Sequence, residues 1–160
     1  MEKESYIPAK SVARWFINRV DIEAGELITP LKLQKLIYYA DAWFLATFDR
    51  ALIADEFEAW MHGPVVRSVY KKYAKNRYEA LPRERSPSIP SDITDFLEAV
   101  YDEYGDYSAK KLEAMTHEET PWIETRGNLP AEARCKQPIS KLSMRNYYAA
   151  RIGKEKITKL

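Results

Sequence analysis

Residues 29–48 read TPLKLQKLIYYADAWFLATF and carry the strongest folding signal in the chain. Thr29 followed by Pro30 is typical of a helix start, because a hydroxyl can cap the first turn and proline is tolerated at the first helical position. The apolar side chains beyond them form two stripes, Leu33, Leu36, Ile37, Ala40, Phe44 and Phe48 on one and Tyr38, Ala42 and Leu45 on the other. A helix that is apolar over most of its circumference is normally surrounded by protein. The sequence therefore predicts a helix over residues 31–48 at the centre of the core.

The next informative segment, residues 58–70, reads EAWMHGPVVRSVY. Partial alternation of polar and apolar residues before Trp60 predicts a short strand or hairpin near residues 52–61. Gly63 and Pro64 then predict a second helix start, with the glycine at the cap and the proline at the first helical position. In that helix we expect one stripe to face inward and the opposite stripe to face solvent. The inward stripe is Val66, Val69, Tyr70 and Tyr73, and the outward stripe is Arg67, Lys71, Lys72 and Lys75.

The rest of the chain is organised as further short helices and loops. Residues 9–22 have the amphipathic spacing of a helix. Residues 79–91 contain three prolines and no periodicity, which predicts a surface loop. Serines that can cap a helix precede the later helical stretches, at Ser91, Ser108 and Ser140.

One helix start is ambiguous from the residues alone. Thr120-Pro121 repeats the Thr-Pro pattern, whereas Thr116 and Glu119 have the spacing of a capping box. The two patterns cannot both begin a helix, and local sequence does not decide between them.

These elements predict a mainly α fold, a compact bundle of about six short helices with a small β-hairpin or strand near residues 52–61. We expect a single domain over residues 1–160, because a chain of this length can bury a sufficient core without metals or disulfides. Residues 1–8 and 153–160 are expected to be frayed tails.

Composition narrows the function classes. The 25 Lys and Arg residues nearly cancel the 24 Asp and Glu residues, and the net charge of +1 argues against a dedicated grip on nucleic acid or an anionic membrane. The most apolar stretch, LIYYADAWFLATF, is interrupted by Asp41 and is too short to span a bilayer. The first ten residues lack the apolar core of a signal peptide. We therefore expect a cytoplasmic protein with no membrane partner.

The residues that come nearest to a catalytic cluster are Thr116-His117-Glu118-Glu119, with His62 elsewhere in the chain. In an enzyme, His117 would act as a general base oriented by a carboxylate, with His62 as its partner. In the alternative, His117 packs at a helix junction and donates to a backbone carbonyl. No phosphate loop, dinucleotide fingerprint, nucleophile elbow or zinc signature is present. We therefore predict that the protein is not an enzyme and uses no cofactor or metal.

Two classes of binding protein stay open on the residues alone. A basic helix face could contact nucleic acid, helped by a basic tail, but such a face is usually the solvated side of an amphipathic helix. Its members are Arg67, Lys71, Lys72, Lys75 and Arg77, and the tail adds Lys154, Lys156 and Lys159. The eleven tyrosines and four tryptophans are compatible with a protein-binding module, because aromatic side chains anchor interfaces.

Four pieces of sequence stand in a recognisable order. They are TPLKLQKLIYYADAWFLA (29–46), EAWMHGPVVRSVY (58–70), YGDYSAKKLEAMTHEETPW (104–122) and PISKLSMRNYY (138–148). Together they resemble the SocA-like antitoxin family, also known as the Panacea domain and as a family of phage-associated proteins. The resemblance runs from about Val12 to Tyr148. His62 departs from the pattern, because many family members have a small or basic residue before the Gly-Pro-Val.

The resemblance implies a bacterial antitoxin of a two-gene toxin–antitoxin system, which neutralises its toxin by direct protein contact and has no enzymatic activity. In one branch of the family it also implies delivery of the toxin to a cytoplasmic protease. Phage-encoded members leave interference with a host protein or nucleic-acid binding as an alternative. The partners implied are thus a cognate toxin and, in that branch, a cytoplasmic protease. A homo-oligomer is a further partner hypothesis, on which the residues do not decide.

The family motif has a structural or a partner-binding role in this reading. Its residues are Lys32, Leu33, Lys35, Leu36, Trp60, Gly63, Pro64, Val65, Tyr70, Thr116, His117, Glu119, Pro121 and Trp122. For Gly63 and Pro64, backbone geometry alone is a sufficient explanation. The candidate partner surface is Arg67, Lys71 and Lys72 together with Tyr147 and Tyr148.

Overall fold

The computed structural model of the protein describes residues 5–152. Over this range the chain forms seven α-helices, one 3₁₀ turn and a two-stranded hairpin. In chain order the elements are α1 (Ala9–Arg19), α2 (Pro30–Phe48), β1 (Phe57–Trp60), β2 (Gly63–Val66), α3 (Arg67–Tyr73), the 3₁₀ turn (Ala74–Asn76), α4 (Ser91–Tyr104), α5 (Ala109–His117), α6 (Thr120–Arg126) and α7 (Lys141–Ala149). The predicted mainly α class with a small β element is confirmed.

Helix α2 occupies the centre of the core, as its two apolar stripes predict. Every residue from Leu33 to Leu45 is buried, and α1, α4, α5, α7 and the hairpin pack around it. The helix begins as expected, because the Thr29 hydroxyl accepts a hydrogen bond from the Lys32 amide at 3.3 Å and Pro30 is the first helical residue. It ends at Asp49, which adopts a left-handed conformation with φ of 56°.

Because α2 is buried on all sides, its polar side chains need partners inside the protein. The Asp41 carboxylate accepts a hydrogen bond from the Leu52 amide at 2.8 Å and pairs with Lys141 at the start of α7. Burial raises the pKa of Asp41 despite the opposing effect of the Lys141 ammonium. Asp41 therefore joins the loop after α2 and helix α7 to the central helix.

The predicted helix start at Gly63-Pro64 is wrong, because both residues belong to strand β2 and helix α3 begins at Arg67. Pro64 lies opposite Ala59 in the antiparallel register. The Ala59 amide donates outward to the Gln137 carbonyl at 3.0 Å, so the pair is a non-hydrogen-bonded one. At such a position the missing proline N–H removes no ladder hydrogen bond. Hence Pro64 is compatible with a strand here.

Both outer edges of the hairpin are covered. On the β2 side, the Gln34 side chain accepts from the Val66 amide at 2.8 Å and donates to the Val66 carbonyl at 3.2 Å. On the β1 side, the Ile139 amide donates to the Phe57 carbonyl at 2.7 Å, and Glu58 forms a bridge with Pro138. The hairpin thus has no free edge at these positions onto which another strand could add.

The serine-initiated helices follow local chemistry with one exception. The hydroxyls of Ser108 and Ser140 cap α5 and α7, as predicted. Ser91 is the first residue of α4 rather than its cap, because the chain enters the helix through Pro90.

The ambiguous start is decided in favour of Thr120-Pro121. Helix α6 begins at Thr120, with Pro121 in its first turn and Glu119 as the preceding residue. Thr116 lies inside α5, where its hydroxyl donates to the Glu113 carbonyl at 2.8 Å. The capping-box alternative is therefore wrong.

The N-terminal segment is anchored further out than its sequence predicts. Ile7 is buried, and its amide donates to the Leu52 carbonyl at 2.9 Å, so residues 7 and 8 are not frayed. Residues 1–4 and 153–160, including the basic tail with Lys154, Lys156 and Lys159, lie outside the described residues. None of the helices between residues 5 and 152 is both long enough and apolar enough to cross a membrane.

Burial of α2 predicts a large effect of truncating Leu36, which has no exposed surface. Leu36→Ala should lower the free energy of unfolding by about 2–5 kcal/mol, because it leaves a cavity in a packed core. The matched control is Leu142→Ala on α7, where the leucine is 63% exposed and the change should stay within about 0.5 kcal/mol. Chemical denaturation measures both, and a Leu36→Ala loss as small as the control would contradict the central position of α2.

Candidate interaction surface

The turn of the hairpin is held from beneath by Lys35 on α2. This lysine is fully buried, and its Nζ donates to the Pro64 carbonyl at 3.0 Å. Gly63 adopts φ of 103°, a conformation that favours glycine. A Cβ added there would lie 2.5 Å from Lys35 Cε and 2.9 Å from the Thr116 hydroxyl oxygen. Gly63 is thus required both by its backbone conformation and by the close approach of α2 and α5.

Burial changes the acid–base behaviour of Lys35. Removal from water lowers the pKa of the Lys35 ammonium from 10.5 to about 7, although the Glu113 carboxylate acts in the opposite direction. The amine still has a direct partner in the Pro64 carbonyl. A buried lysine of this kind ties the stability of the hairpin to pH.

A second support for the turn comes from residues 116–122, which read THEETPW. The Trp122 indole donates to the Trp60 carbonyl at 2.8 Å, and the His117 ring stacks on Trp122 with 4.0 Å between centroids. His117 also hydrogen-bonds the Met61 backbone, and burial lowers the pKa of its imidazole. These contacts place His117 at a packed junction between α5, α6 and the hairpin turn.

Arg126 completes this support at the end of α6. Its guanidinium is buried and donates to the Ala59 carbonyl at 2.9 Å and to the Ala133 carbonyl at 2.7 Å. It also lies over the Trp122 ring, 4.8 Å from the centroid. The loop after α6 is therefore fastened to strand β1 through one arginine.

The two histidines do not form a pair. The His62 ring lies at the turn, with 54% of its side chain exposed, and its Nδ1 is 2.6 Å from Glu113 Oε1. His117 instead contacts Trp122 and the Met61 backbone. The two rings thus have different partners, and the structure does not show His62 in contact with His117 as a catalytic partner would be.

Glu119, which is half-buried, joins helix α2 to the C-terminal helix α7 through tyrosine hydroxyls. The hydroxyls of Tyr39 and Tyr148 both donate to the Glu119 carboxylate. Tyr148 is only 1% exposed, so its predicted place on a partner surface is wrong. Its position on α7 turns it toward α2, where it packs against Trp43. Tyr147 is half-buried, with the Arg151 guanidinium 3.5 Å from its ring centroid.

Above this rigid base, Trp60 and Tyr70 form an aromatic pair at the surface. Their rings meet edge to face with 4.8 Å between centroids, and the Trp60 indole donates to Glu58 at 2.8 Å. Tyr70 is 45% exposed, so the prediction that it belongs to the inward stripe of α3 is wrong. Because α3 starts at Arg67 and is short, only Val69 and Tyr73 are buried within it.

A concavity of about 520 Å³ lies on one side of this pair, and we name it the aromatic groove. It runs between the start of α2, the hairpin and the segment from α3 to Tyr78. Its apolar lining consists of Pro30, Leu31, Leu33, Val65, Val69, Tyr70, Tyr73 and Tyr78. Its polar lining consists of Gln34, Trp60, His62, Arg77 and Lys110. A smaller concavity of about 450 Å³ lies on the other side, lined by Trp60, Met61, His62, Tyr70, Arg134, Cys135 and Lys136.

The charged groups at the mouth of the aromatic groove are cationic. Arg77 and Lys110 line it, and neither an Asp nor a Glu is among its lining residues, all of which the structure describes. Glu113 lies beneath and pairs with His62 and Lys110. Burial alone would raise the pKa of Glu113, but the hydrogen bonds from His62 and Lys110 outweigh it and lower the pKa.

The predicted basic face of α3 borders a separate, open concavity of about 720 Å³ lined by Lys10, Arg67, Ser68, Lys71 and Lys72. Part of its charge is neutralised. Arg67 pairs with Glu58 at 3.0 Å, and Lys72 lies 3.7 Å from Glu84. The face is therefore less basic than its sequence implies.

The other motif residues have packing roles in the structure. Leu33 and Leu36 are fully buried, and Pro121 is buried at the start of α6. The Lys32 amine donates to the Gly105 carbonyl at 2.6 Å, which joins α2 to the end of α4. The motif thus lies mostly under the surface that Trp60 and Tyr70 form.

Several residues of the aromatic groove were not among the predicted site residues, notably Leu31, Tyr78 and Lys110. Tyr78 follows the 3₁₀ turn and Lys110 lies in α5, so they are brought together by the fold alone. Local periodicity contains no signal for such a contact between distant segments.

Comparison with known proteins agrees with the resemblance seen in the sequence motifs. A profile of the family described as Antitoxin SocA-like, Panacea domain, matches residues 33–123. The chain is also 34% identical over 133 residues to Antitoxin SocA of Caulobacter vibrioides (strain NA1000 / CB15N). The aligned region covers 72% of this chain and 69% of that relative. No solved structure matches the chain. The profile begins in α2 and ends in α6, so it includes the hairpin and both of its supports.

The close packing at Gly63 predicts that Gly63→Ala is more destabilising than Gly25→Ala. Both glycines have positive φ, 103° and 87°, but a Cβ at Gly25 would have no neighbour within 4 Å. Gly25→Ala should therefore cost only the backbone strain, about 1–2 kcal/mol. Gly63→Ala adds the contacts with Lys35 and Thr116. Urea titrations compare the two, and equal losses would show that these neighbours move aside without cost.

The lowered pKa of Lys35 predicts a pH-dependent stability. Between about pH 7 and pH 10 the unfolded chain holds the lysine proton more tightly than the folded protein, so stability rises with pH, by at most about 1.4 kcal/mol per pH unit. Lys35→Met removes this titration. The difference in unfolding free energy, wild type minus variant, should increase from about pH 7 to pH 9. A constant difference across that interval would contradict a lowered pKa.

Proposed function

The chain belongs to the SocA-like antitoxin family, the Panacea domain, and we propose that it is the antitoxin of a two-gene toxin–antitoxin system. It neutralises its toxin by forming a direct protein complex in the cytoplasm. Two observations together carry the proposal. The chain belongs to this family, and it presents the aromatic pair Trp60 and Tyr70 above a hydrogen-bonded hairpin turn. Exposed aromatic side chains next to apolar concavities are typical of the anchors that dominate protein interfaces.

The rigidity of that base supports a binding role. The hairpin turn that presents Trp60 is hydrogen-bonded by Lys35 on one side and by Trp122 on the other. A surface that is already ordered before association loses less conformational entropy when a partner binds. Such a surface favours a stable, stoichiometric complex.

We infer that neutralisation needs no enzymatic step. His117 is engaged in packing against Trp122, and His62 is engaged by Glu113. His62 is also the residue at which this chain departs from the family pattern. These contacts favour neutralisation by binding of the toxin rather than by its chemical modification.

Nucleic-acid binding is the weaker alternative. The basic face of α3 is partly neutralised by Glu58 and Glu84. The net charge of the chain is only +1. Binding to a phosphate backbone depends on many uncompensated cations along one track. These observations favour a protein partner.

Co-expression tests the proposed function. The adjacent gene product, expressed alone, should arrest growth, and co-expression with this protein should restore growth and yield a co-purifying complex. His117→Gln protein, checked for folding, should restore growth equally well because no chemistry is required. Failure of the wild-type protein to bind or to rescue would overturn the proposal, and loss of rescue in folded His117→Gln would favour an enzyme.

The same strains test delivery to a protease. If the complex alone neutralises the toxin, growth is restored in cells that lack the cytoplasmic ATP-dependent proteases. If rescue disappears in one of those strains while the complex still forms, the protein acts as an adaptor as well as a binder. Light scattering of the purified protein shows whether it binds the toxin as a monomer or as a homo-oligomer.

A further inference from the structure

We propose that the aromatic groove is the toxin-docking site and that it takes an acidic amphipathic segment of the toxin, one with apolar side chains flanked by carboxylates. This inference rests on the proposed function and adds the chemistry of the partner. Four features of the groove carry it.

The first feature is apolar surface left open at the groove. Tyr78 is 83% exposed and Tyr70 is 45% exposed, Leu31 is half-buried, and the buried Val65 and Val69 close the bottom of the groove. Single exposed apolar residues are common, but a concave group of them marks a binding surface. The volume of about 520 Å³ is within the range of sites that bury a ligand of several side chains.

The second feature is the sign of the charge at the mouth. The cations Arg77 and Lys110 line the groove, Lys110 in an ion pair with Glu113, and no carboxylate is among the lining residues. The adjoining concavity beyond Trp60 adds Arg134 and Lys136. A partner that covers these groups is favoured when it supplies negative charge at the rim, because like charges facing each other across an interface are costly. Apolar anchors with flanking carboxylates satisfy both requirements.

The third feature is the covered hairpin. The outer edge of β2 is occupied by the side chains of Gln34 and Lys35, and the outer edge of β1 by residues 137–139. Addition of a toxin strand to this sheet would have to displace those bonds. Recognition at the groove therefore proceeds through side chains, as in helix-in-groove complexes.

The fourth feature separates a protein from a nucleic acid. Most of the groove lining is apolar, and its Lys and Arg residues are limited to Arg77 and Lys110. Nucleic acids would need a continuous series of phosphate contacts as well as stacking rings. An acidic protein segment needs only the rim charges and the apolar floor.

The test measures binding of the purified adjacent gene product to wild-type protein and to paired variants. Tyr78→Ala removes an exposed groove residue, and its control is Tyr6→Ala, where the tyrosine is 47% exposed and does not line the groove. Lys110→Glu reverses one rim charge, and its control is Lys111→Glu, an exposed neighbour on the same helix that does not line the groove. Calorimetry at low and high salt gives the dissociation constants.

We expect Tyr78→Ala to weaken the complex at least about tenfold, as the loss of an aromatic anchor does. Lys110→Glu should weaken it more at low than at high salt, because the contact is electrostatic. Both controls should bind as the wild type does. Circular dichroism verifies that all four variants are folded.

Three outcomes overturn the inference. If the wild-type complex forms and both groove variants bind normally, the docking site lies elsewhere and the proposed function still stands. If the wild type neither binds nor rescues, the proposed function fails, and the proposal of a toxin-docking groove fails with it. If Tyr78→Ala abolishes binding to an RNA or DNA oligonucleotide but not to the toxin, the groove is a nucleic-acid site.

Discussion

Hydrogen bonds from the polar side chains of the buried central helix to groups inside the protein organise the molecule, because buried polar groups generally need such partners. Three residues of α2 form these bonds. Gln34 bonds the Val66 backbone, Lys35 bonds the Pro64 carbonyl, and Asp41 bonds the Leu52 amide and pairs with Lys141. The central helix therefore fixes the position of the hairpin, of the following loop and of α7 by hydrogen bonds as well as by apolar packing.

The binding surface follows from that arrangement. Lys35 from below and Trp122 from the side hold the turn at which Trp60 and His62 are presented. Several residues of the sequence motif, among them Lys35, His117 and Trp122, lie in this support rather than on the exposed surface above it.

Local rules predicted the elements well wherever a pattern has a local cause. Thr29-Pro30, Ser108 and Ser140 begin helices because the capping group and the helix are adjacent in sequence. Gly63-Pro64 was misassigned to a helix start because its geometry depends on distant partners. Its strand conformation is supported by Ala59 in the register and by Lys35 on another element.

The sequence by itself determined the mainly α class, the central place of α2 and the family, because apolar periodicity and motif spacing are properties of neighbouring residues. Only the tertiary structure decided which side chains are exposed. Tyr148 turns inward to Glu119 and Tyr70 turns outward to Trp60, although both lie in helical segments with aromatic spacing. The aromatic groove likewise joins Leu31, Tyr78 and Lys110 from separate elements. Exposure and concavity depend on packing between segments distant in the chain, and no local pattern contains that information.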